Sequence, residues 1–432
     1  MNIMKKTKFI LLVLMSALLI SCNKSSPDSI LNTYANIATA NYNDTLSDAK
    51  MMQDAIANFV DDPSTKTLSE AKAAWLNARE SYGLTEIFRL SNGPIDAEEG
   101  WVAEKYGALE GQLNAWPLDE NMIDYTIDTK GNKTSGNIID SRGMFNPGGE
   151  YAISVNIATI TKEAITKLNE NGGDANVATG YHAIEFLLWG QDQDYDNMMK
   201  DGVTNGPLTA GQRPLSDYTT DKNADRRKAY LNAAAEKIVD DLTVIVSAWA
   251  DGDNSNYKAA LLGKHSDSSK NIDQKTALNH IFAGMGVFIK SELANERIAV
   301  AVLTPSEEDE HSCFSDNTHR DIALNYQGFK NILMGTYNGV DYGIAPIDAL
   351  KDKSTIMSLI ASAESKIYII NALAQTSRHF DYQIRPNDPQ AKQIKKLKNE
   401  LRKLGDQMIN VAKANGINLT TSDVTDSEET QI

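Results

Sequence analysis

Apolar residues recur at spacings of three and four along most of the chain, and strictly alternating runs are nearly absent. That is the period of helices buried on one face, and it predicts an all-α protein. Ile30, Tyr34, Ile37 and Ala38 begin one stripe, which resumes through Ala49, Met52, Ile56 and Phe59 and stops at Asp62-Pro63. Thr67-Leu68-Ser69-Glu70 reads as a capping box opening a second helix that reaches toward Leu90, ahead of the turn signal Ser91-Asn92-Gly93-Pro94. The stretch 119–150, rich in Gly, Asn, Asp and Ser, predicts loop or a short hairpin, and helices are expected over 152–170 and 175–190. A polar excursion from Gln191 to Asn223 precedes a helix from Arg226 to Trp249, with Tyr230, Leu231, Ala234, Ile238, Leu242 and Ile245 on one side. In the second half the pattern predicts helices near 272–303, 354–379 and 388–414, broken by a loop from Thr304 to Asp321 and by Arg385-Pro386. Past Gly416 the chain turns polar and acidic, and 417–432 are expected to be a disordered tail.

The first 22 residues stand apart from this pattern. Lys5, Lys6 and Lys8 precede an apolar run from Phe9 to Ile20, which ends in Ser21-Cys22. A charged start, an apolar run too short to span a bilayer and stop, and a small-residue cleavage point before cysteine make a lipoprotein signal peptide. The expectation is export and lipid attachment through Cys22, at the cell envelope of a bacterium and with the outer membrane as the site of anchoring. The remaining chain is long enough for two domains, placed at 27–240 and 241–416. Removing residues 1–21 takes away three lysines and no acid, moving the formal charge from −16 to −19. Such a surface repels phosphate backbones and favours cations, so no nucleic-acid partner is expected. With Cys22 lipidated, Cys313 is the one remaining thiol, and stability must come from packing rather than from a disulfide.

Candidate chemistry gathers in four places. In Gly180-Tyr181-His182-Ala183-Ile184-Glu185-Phe186-Leu187-Leu188-Trp189-Gly190, positions three apart share a helix face, so His182 and Glu185 can reach one point. Their apolar neighbours cover most of the helix circumference, which places the helix inside, where an unpaired carboxylate is costly. Glu185 therefore calls for a cation, either a metal shared with His182 or an arginine; a core histidine paired only with its helix neighbour is the plainer alternative. On the second helix Trp75, Arg79, Tyr82, Glu86 and Arg89 form one stripe mixing aromatics with charges. Glu86 is expected to face Glu185, with Arg79 or Arg89 balancing charge and Asp96 closing in from the following loop; a surface row of ion pairs is the alternative. In the second half, Glu292 and Glu296 lie one turn apart beside Arg297 and read as an ion-paired face. The segment from Glu307 to Asp321 holds His311, Ser312, Cys313, Asp316 and His319 among several acids, without the order or context of a Cys-His nucleophile.

Taken together, these motifs resemble the imelysin family, the insulin-cleaving membrane proteases and iron-regulated protein A group. The resemblance rests on Gly180-Tyr181-His182-Ala183-Ile184-Glu185 as the G-x-H-x-x-E motif, on Trp116-Pro117-Leu118, on Gly211-Gln212-Arg213-Pro214, on Arg226-Arg227-Lys228-Ala229-Tyr230-Leu231, and on Glu310-His311-Ser312-Cys313-Phe314-Ser315-Asp316-Asn317-Thr318-His319. It implies two helical-bundle domains related by pseudo-twofold symmetry, with the His-x-x-Glu helix near their interface. It also implies association with iron-uptake machinery and a metal site on His182 and Glu185, with Glu86 and Asp96 matching acidic positions of metal-binding relatives. Oxygen ligands plus one imidazole suit iron better than copper(I), with zinc the second choice of metal ion after iron, and binding is expected to weaken below about pH 6 as the imidazole and then the carboxylates take up protons. Two functions stand: a non-catalytic binding lipoprotein for iron or an iron-carrying ligand, and a metallopeptidase. Against the second, His-Glu-x-x-His is absent, and the inverted His-x-x-Glu-His fails because Glu185 is followed by Phe186.

Overall fold

The first apolar stripe coils into one 35-residue helix, α1 (Pro27–Asp61), in a computed structural model that describes residues 27–128, 130–192, 206–305 and 309–426. The leader and Cys22 lie outside the described residues. Helix α2 (Thr65–Thr85) starts one turn before the expected box. Ser64 accepts the Thr67 N–H with its hydroxyl, and its own N–H donates to the Thr67 hydroxyl. Helix α3 (Gly180–Trp189) is buried along its whole length, and α4 (Ala224–Trp249) packs against α1 and α3. Tyr34, Tyr42, Phe88 and Trp249 interlock where α1 and α4 meet the end of α2, with ring centroids 5.3–6.5 Å apart. Because α4 continues to Trp249, a domain division after 240 would cut through a helix.

The second half is built on α5 (274–303), α6 (Thr318–Met334), α7 (Ser354–Thr376) and α8 (Pro389–Ala414). Helix α5 changes pitch along its course: α-helical over Gln274–Val287, it widens to i→i+5 turns over Phe288–Ala299 and closes again at Val300–Leu303. Helix α8 packs on α5 and α7, while α6 crosses between α2 and this second bundle. Short helices, Lys162–Leu168 and Phe380–Ile384 among them, connect the long ones, and two-residue strands pair as Met144–Phe145 with Val155–Asn156 and Thr336–Tyr337 with Val340–Asp341. The architecture is all-α, as the periodicity predicts.

Three expectations differ locally. The span 152–170 holds a strand and only a short helix, Lys162–Leu168. Helix α6 overlaps the expected loop, because its buried side includes Thr318, His319, Asp321, Asn325 and Asn331, and these polar residues interrupt the apolar stripe that would announce a helix. The C-terminal segment is ordered through its described part. Ile417, Leu419 and Val424 are buried, Val424 packs against Gly286, and the Lys290 ammonium donates to Thr425 Oγ1 at 2.7 Å. Its average composition is polar, but three well-spaced apolar residues suffice to dock it; residues 427–432 lie outside the described part.

Candidate functional site

The mixed stripe of α2 faces inward. Trp75, Arg79, Tyr82 and Glu86 are all buried, so the surface alternative fails. The Arg79 guanidinium lies 5.3–5.8 Å from the ring centroids of Trp75, Tyr82 and Tyr181; it donates to Asp321 Oδ1 at 2.9 Å and to Asn114 Oδ1. Burial opposes its charge, but Asp321 and Glu86 more than offset this and raise its pKa. At the end of α2 the chain tightens to a 3₁₀ turn over Glu86–Phe88. Glu86 there accepts from Arg297 Nη2 at 2.6 Å, from Arg89 at 3.4 Å and from Asn114 Nδ2 at 3.4 Å.

Helix α3 brings the motif histidine against this stripe. Gly180 begins it at φ +87°, and a Cβ there would stand 2.6 Å from the Leu113 carbonyl oxygen, so only glycine lets the helix start so close to the chain beneath it. His182 and Glu185 are fully buried, with His182 Nδ1 2.9 Å from Glu185 Oε2. The other carboxylate oxygen accepts from the Ser315 N–H at 2.9 Å and from its hydroxyl at 2.6 Å. Burial outweighs these bonds and raises the Glu185 pKa to about 8. Burial, then the Arg79 charge, holds the His182 imidazole well below its ordinary value. Its Nε2 has no hydrogen-bond partner among the described residues, and its ring lies 4.7 Å from that of His311 and 5.0 Å from Trp116.

His311 comes from the turn before α6 and is oriented by Asp321, the first-turn acid of that helix, at 2.9 Å from Nδ1. The Ser312 hydroxyl donates to the same Asp321 oxygen. Burial lowers the His311 pKa to about 3, so both imidazoles are neutral at physiological pH. Asp321 is held well below the carboxylate range: burial opposes ionisation, but Arg79, His311 and the hydrogen bonds prevail. Cys313 is a buried thiol, and the histidines of its segment are engaged elsewhere, His311 Nδ1 by Asp321 and His319 Nδ1 by the Asp316 carbonyl at 3.0 Å; the Asp316 carboxylate meets His379, from just before the short helix Phe380–Ile384.

A cavity of about 510 Å³ opens onto this cluster, with Arg89, Glu110, Asn114, Trp116, Glu292, Arg297 and His311 on its inner wall and Glu170, Asp174, Glu296 and Asp309 toward solvent. Glu292 pairs with Arg297 and, at 3.2 Å, with Arg89; these arginines overcome the opposing effect of burial and hold it at about 2. Glu110, 3.4 Å from Arg89, is raised by burial to about 7.

The four expected metal residues are thus divided. His182 and Glu185 bond each other, Glu86 is taken up by two arginines and an asparagine, and Asp96 accepts the Leu90 N–H with one oxygen. Among the described residues no group of three or more His, Cys, Asp and Glu is arranged to hold a metal ion. What the arrangement offers a metal is one oriented imidazole with an unengaged nitrogen, which fits a metal that arrives with most of its ligands rather than a bare ion held by protein donors alone. Asn114 and Asp321 carry no signal in the sequence: the first is one of several polar residues ahead of Trp116, and the second lies at the end of a segment whose pattern predicts a loop. The spacing of Glu292, Glu296 and Arg297 predicts an ion-paired face and carries no sign that Arg297 and Glu292 reach Glu86 and Arg89.

The imelysin family pattern matches residues 38–408. Iron-regulated protein A of Synechococcus elongatus is 23% identical over 300 residues, 69% of this chain and 62% of that relative, so the match spans less than two thirds of the relative's length. The crystal structure of a protein from Parabacteroides distasonis, provisionally named an iron-regulated protein A precursor, shares the fold at TM-score 0.54 and 17% identity, covering 90% of this chain and 97% of that one.

Proposed function

The chain belongs to the imelysin family, and on that premise we propose that it is a non-catalytic binding protein for an iron-carrying ligand, or another chelated metal, in bacterial iron uptake. One observation carries the reading: a cavity of about 510 Å³ is lined by His311, whose ring lies 4.7 Å from that of His182, and His182 Nε2 is buried without a partner among the described residues. A neutral imidazole whose Nδ1–H is held by an ionised carboxylate, as that of His311 is by Asp321, is the form that donates to a metal; His182 reaches it when Glu185, raised to about 8, gives up its proton. The exposed acids Glu170, Asp174 and Glu296 would draw a cationic complex toward the opening. Trp116 and the Arg89 and Arg297 pair suit a small organic chelator. The name of the Synechococcus relative, which refers to iron, agrees with this cargo.

Catalysis finds less support. Glu185, protonated up to about pH 8, is poorly placed to act as a general base, and a peptidase zinc needs three protein ligands. The test is titration of ferric chelates, free Fe²⁺ and Zn²⁺ into wild type and the His182→Ala/Glu185→Ala double variant. Binding of a chelate by wild type that the variant loses supports the proposal; equal binding by both removes the site. Chelator-sensitive cleavage of unfolded protein by wild type alone would instead restore the peptidase. Attachment through Cys22 belongs to the same proposal, and Cys22→Ser should shift the protein out of the detergent phase, two or more acyl chains being needed for stable anchoring. Unchanged partition would refute the anchor.

A further inference from the structure

Helices α7 and α8 turn outward a surface unlike the rest of this acidic chain. Every exposed position of α7 is uncharged, and Met357, Tyr368 and Ile369 stand 43%, 73% and 43% exposed along it. Met357 and Tyr368 are about three turns apart and so share one side. The charges of α7 are taken up at its flanks, Glu364 by Lys330 of α6 and Lys366 by Glu400 of α8 at 2.8 Å. The exposed positions of α8 carry Lys392, Lys395, Lys396, Lys403 and Lys413 and no acid, because Glu400 and Asp406 are engaged by Lys366 and Lys290. None of these exposed lysines is in an ion pair among the described residues. Lys396 and Lys403 stand four residues before and three after Glu400, which also accepts from the Ser362 hydroxyl of α7 at 3.0 Å, so the lysine row borders the uncharged strip. In a chain of formal charge −16, an acid-free apolar strip rimmed by unpaired lysines marks an interaction surface.

We propose that this face of α7 and α8 rests on an anionic lipid surface. The lysines match phosphate headgroups, while Met357, Tyr368 and Ile369 enter the boundary between headgroups and acyl chains, a depth that tyrosine favours. Helix α7 lies on the membrane and does not span it, since Ile356, Ile360, Ile367 and Ile370 are buried against the bundle. A second copy of the chain suits the face less well: it would gather both lysine rows in one interface with no exposed acid of either face to offset them. The place of the anchor agrees, and here the inference rests on the reading of Cys22 as lipidated. Cys22 is five residues before Pro27, where α1 begins, a reach of at most about 18 Å. Thr33 of α1 lies against Gly343, and the Pro346 carbonyl accepts from Asn415, just past α8, so α1 opens at the end of the bundle where α8 stops beside Lys413. A lipid on Cys22 therefore brings that end to the membrane, and the lysine row lays the molecule along it. The described lining of the His311 cavity takes no residue from α7 or α8, so docking leaves that opening free.

Hydroxyl-radical labelling read by mass spectrometry tests this on the full-length protein, on vesicles of phosphatidylcholine alone or with about one third phosphatidylglycerol. On the anionic vesicles, labelling of Met357 and Tyr368 should fall at least about threefold, while Met51 on α1, 55% exposed, should be labelled as in solution. Replacing Lys392, Lys395, Lys396 and Lys403 together by Gln, or adding about 0.5 M salt, should restore labelling at both positions. All four lysines are exposed and unpaired, so the variant should keep the wild-type thermal midpoint. Undiminished labelling of Met357 and Tyr368 on anionic vesicles, equal protection of Met51, or protection that survives the lysine replacement would overturn the proposal. Protection that appears without vesicles and grows with protein concentration would give the face to a second copy instead. Failure of the anchor shows separately, as release of the chain from pure phosphatidylcholine vesicles, and the labelling on anionic vesicles still decides the role of the face.

Discussion

At the scale of single residues, the centre of this protein is set by how burial treats each ionisable group. Glu185 and Asp321 are both buried carboxyls on either side of the His182–His311 pair, yet one is pushed up to about 8 and the other held far down, because Asp321 pairs directly with Arg79 and accepts from His311 and Ser312, whereas burial prevails at Glu185 over the Ser315 bonds and a more distant Arg79. The folded pKa of Glu185 lies above its ordinary value of 4.5, so folding takes up a proton between the two values. Stability is then full on the acid side and falls as pH rises from 4.5 toward 8. Glu185→Gln removes this dependence, and its stability advantage over wild type should grow by about 3 kcal/mol between about pH 5 and about pH 8. Urea unfolding of both proteins at the two pH values is the measurement, and parallel curves would show that Glu185 is ionised in the folded state. The same burial revises the expected pH response of ligand binding. With His182 well below its ordinary value and His311 at about 3, neither imidazole takes up a proton near pH 6, so loss of binding through the imidazoles moves to lower pH.

At the scale of elements, the site depends on close crossings as much as on polar bonds. Helix α6 passes the end of α2 at Gly328, where a Cβ would stand 2.6 Å from the Leu84 carbonyl oxygen, two residues before Glu86. Gly328→Ala gains helix propensity but must push this backbone aside, and the expected net loss is about 1–3 kcal/mol of stability. Because the displaced turn carries Glu86 and Arg89, chelate affinity should fall as well. Calorimetry and chelate titration on the variant check both, and a stable variant with unchanged affinity would mean that the turn moves freely. The widened turns of α5 serve the same region, since Glu292 and Arg297 both lie within Phe288–Ala299 and meet Arg89 and Glu86 there.

At the scale of the whole molecule, residues far apart in sequence are held together by few segments. Arg79 from the first half and Asp321 from the second form the buried pair beneath the cavity. The C-terminal segment closes over α5 through Val424 and Lys290. Ending the chain after Gly416 removes Ile417, Leu419 and Val424, and after allowance for the entropy of ordering the segment it should cost about 2–4 kcal/mol. A thermal midpoint equal to that of the full chain would show that the segment adds nothing.

Helix period, motif and charge are local properties, and the sequence by itself determined them: an all-α chain, helices α1, α4, α7 and α8 nearly to their ends, the G-x-H-x-x-E helix as buried, and an acidic surface. The inward stripe of α2 was legible too, because Trp and Tyr among charges contradict a solvent face. Which carboxylate meets which cation was not legible. Glu86 had the right face for His182, but whether it meets a metal or an arginine depends on where α5 places Arg297, more than two hundred positions along the chain. Helix α6 stayed hidden because its buried face is partly polar, and those polar residues satisfy one another only after α2 and the 310–317 turn have packed against them. Pairing between distant buried groups is a property of the assembled interior, where low dielectric makes each partner decisive, and the tertiary structure alone decided it.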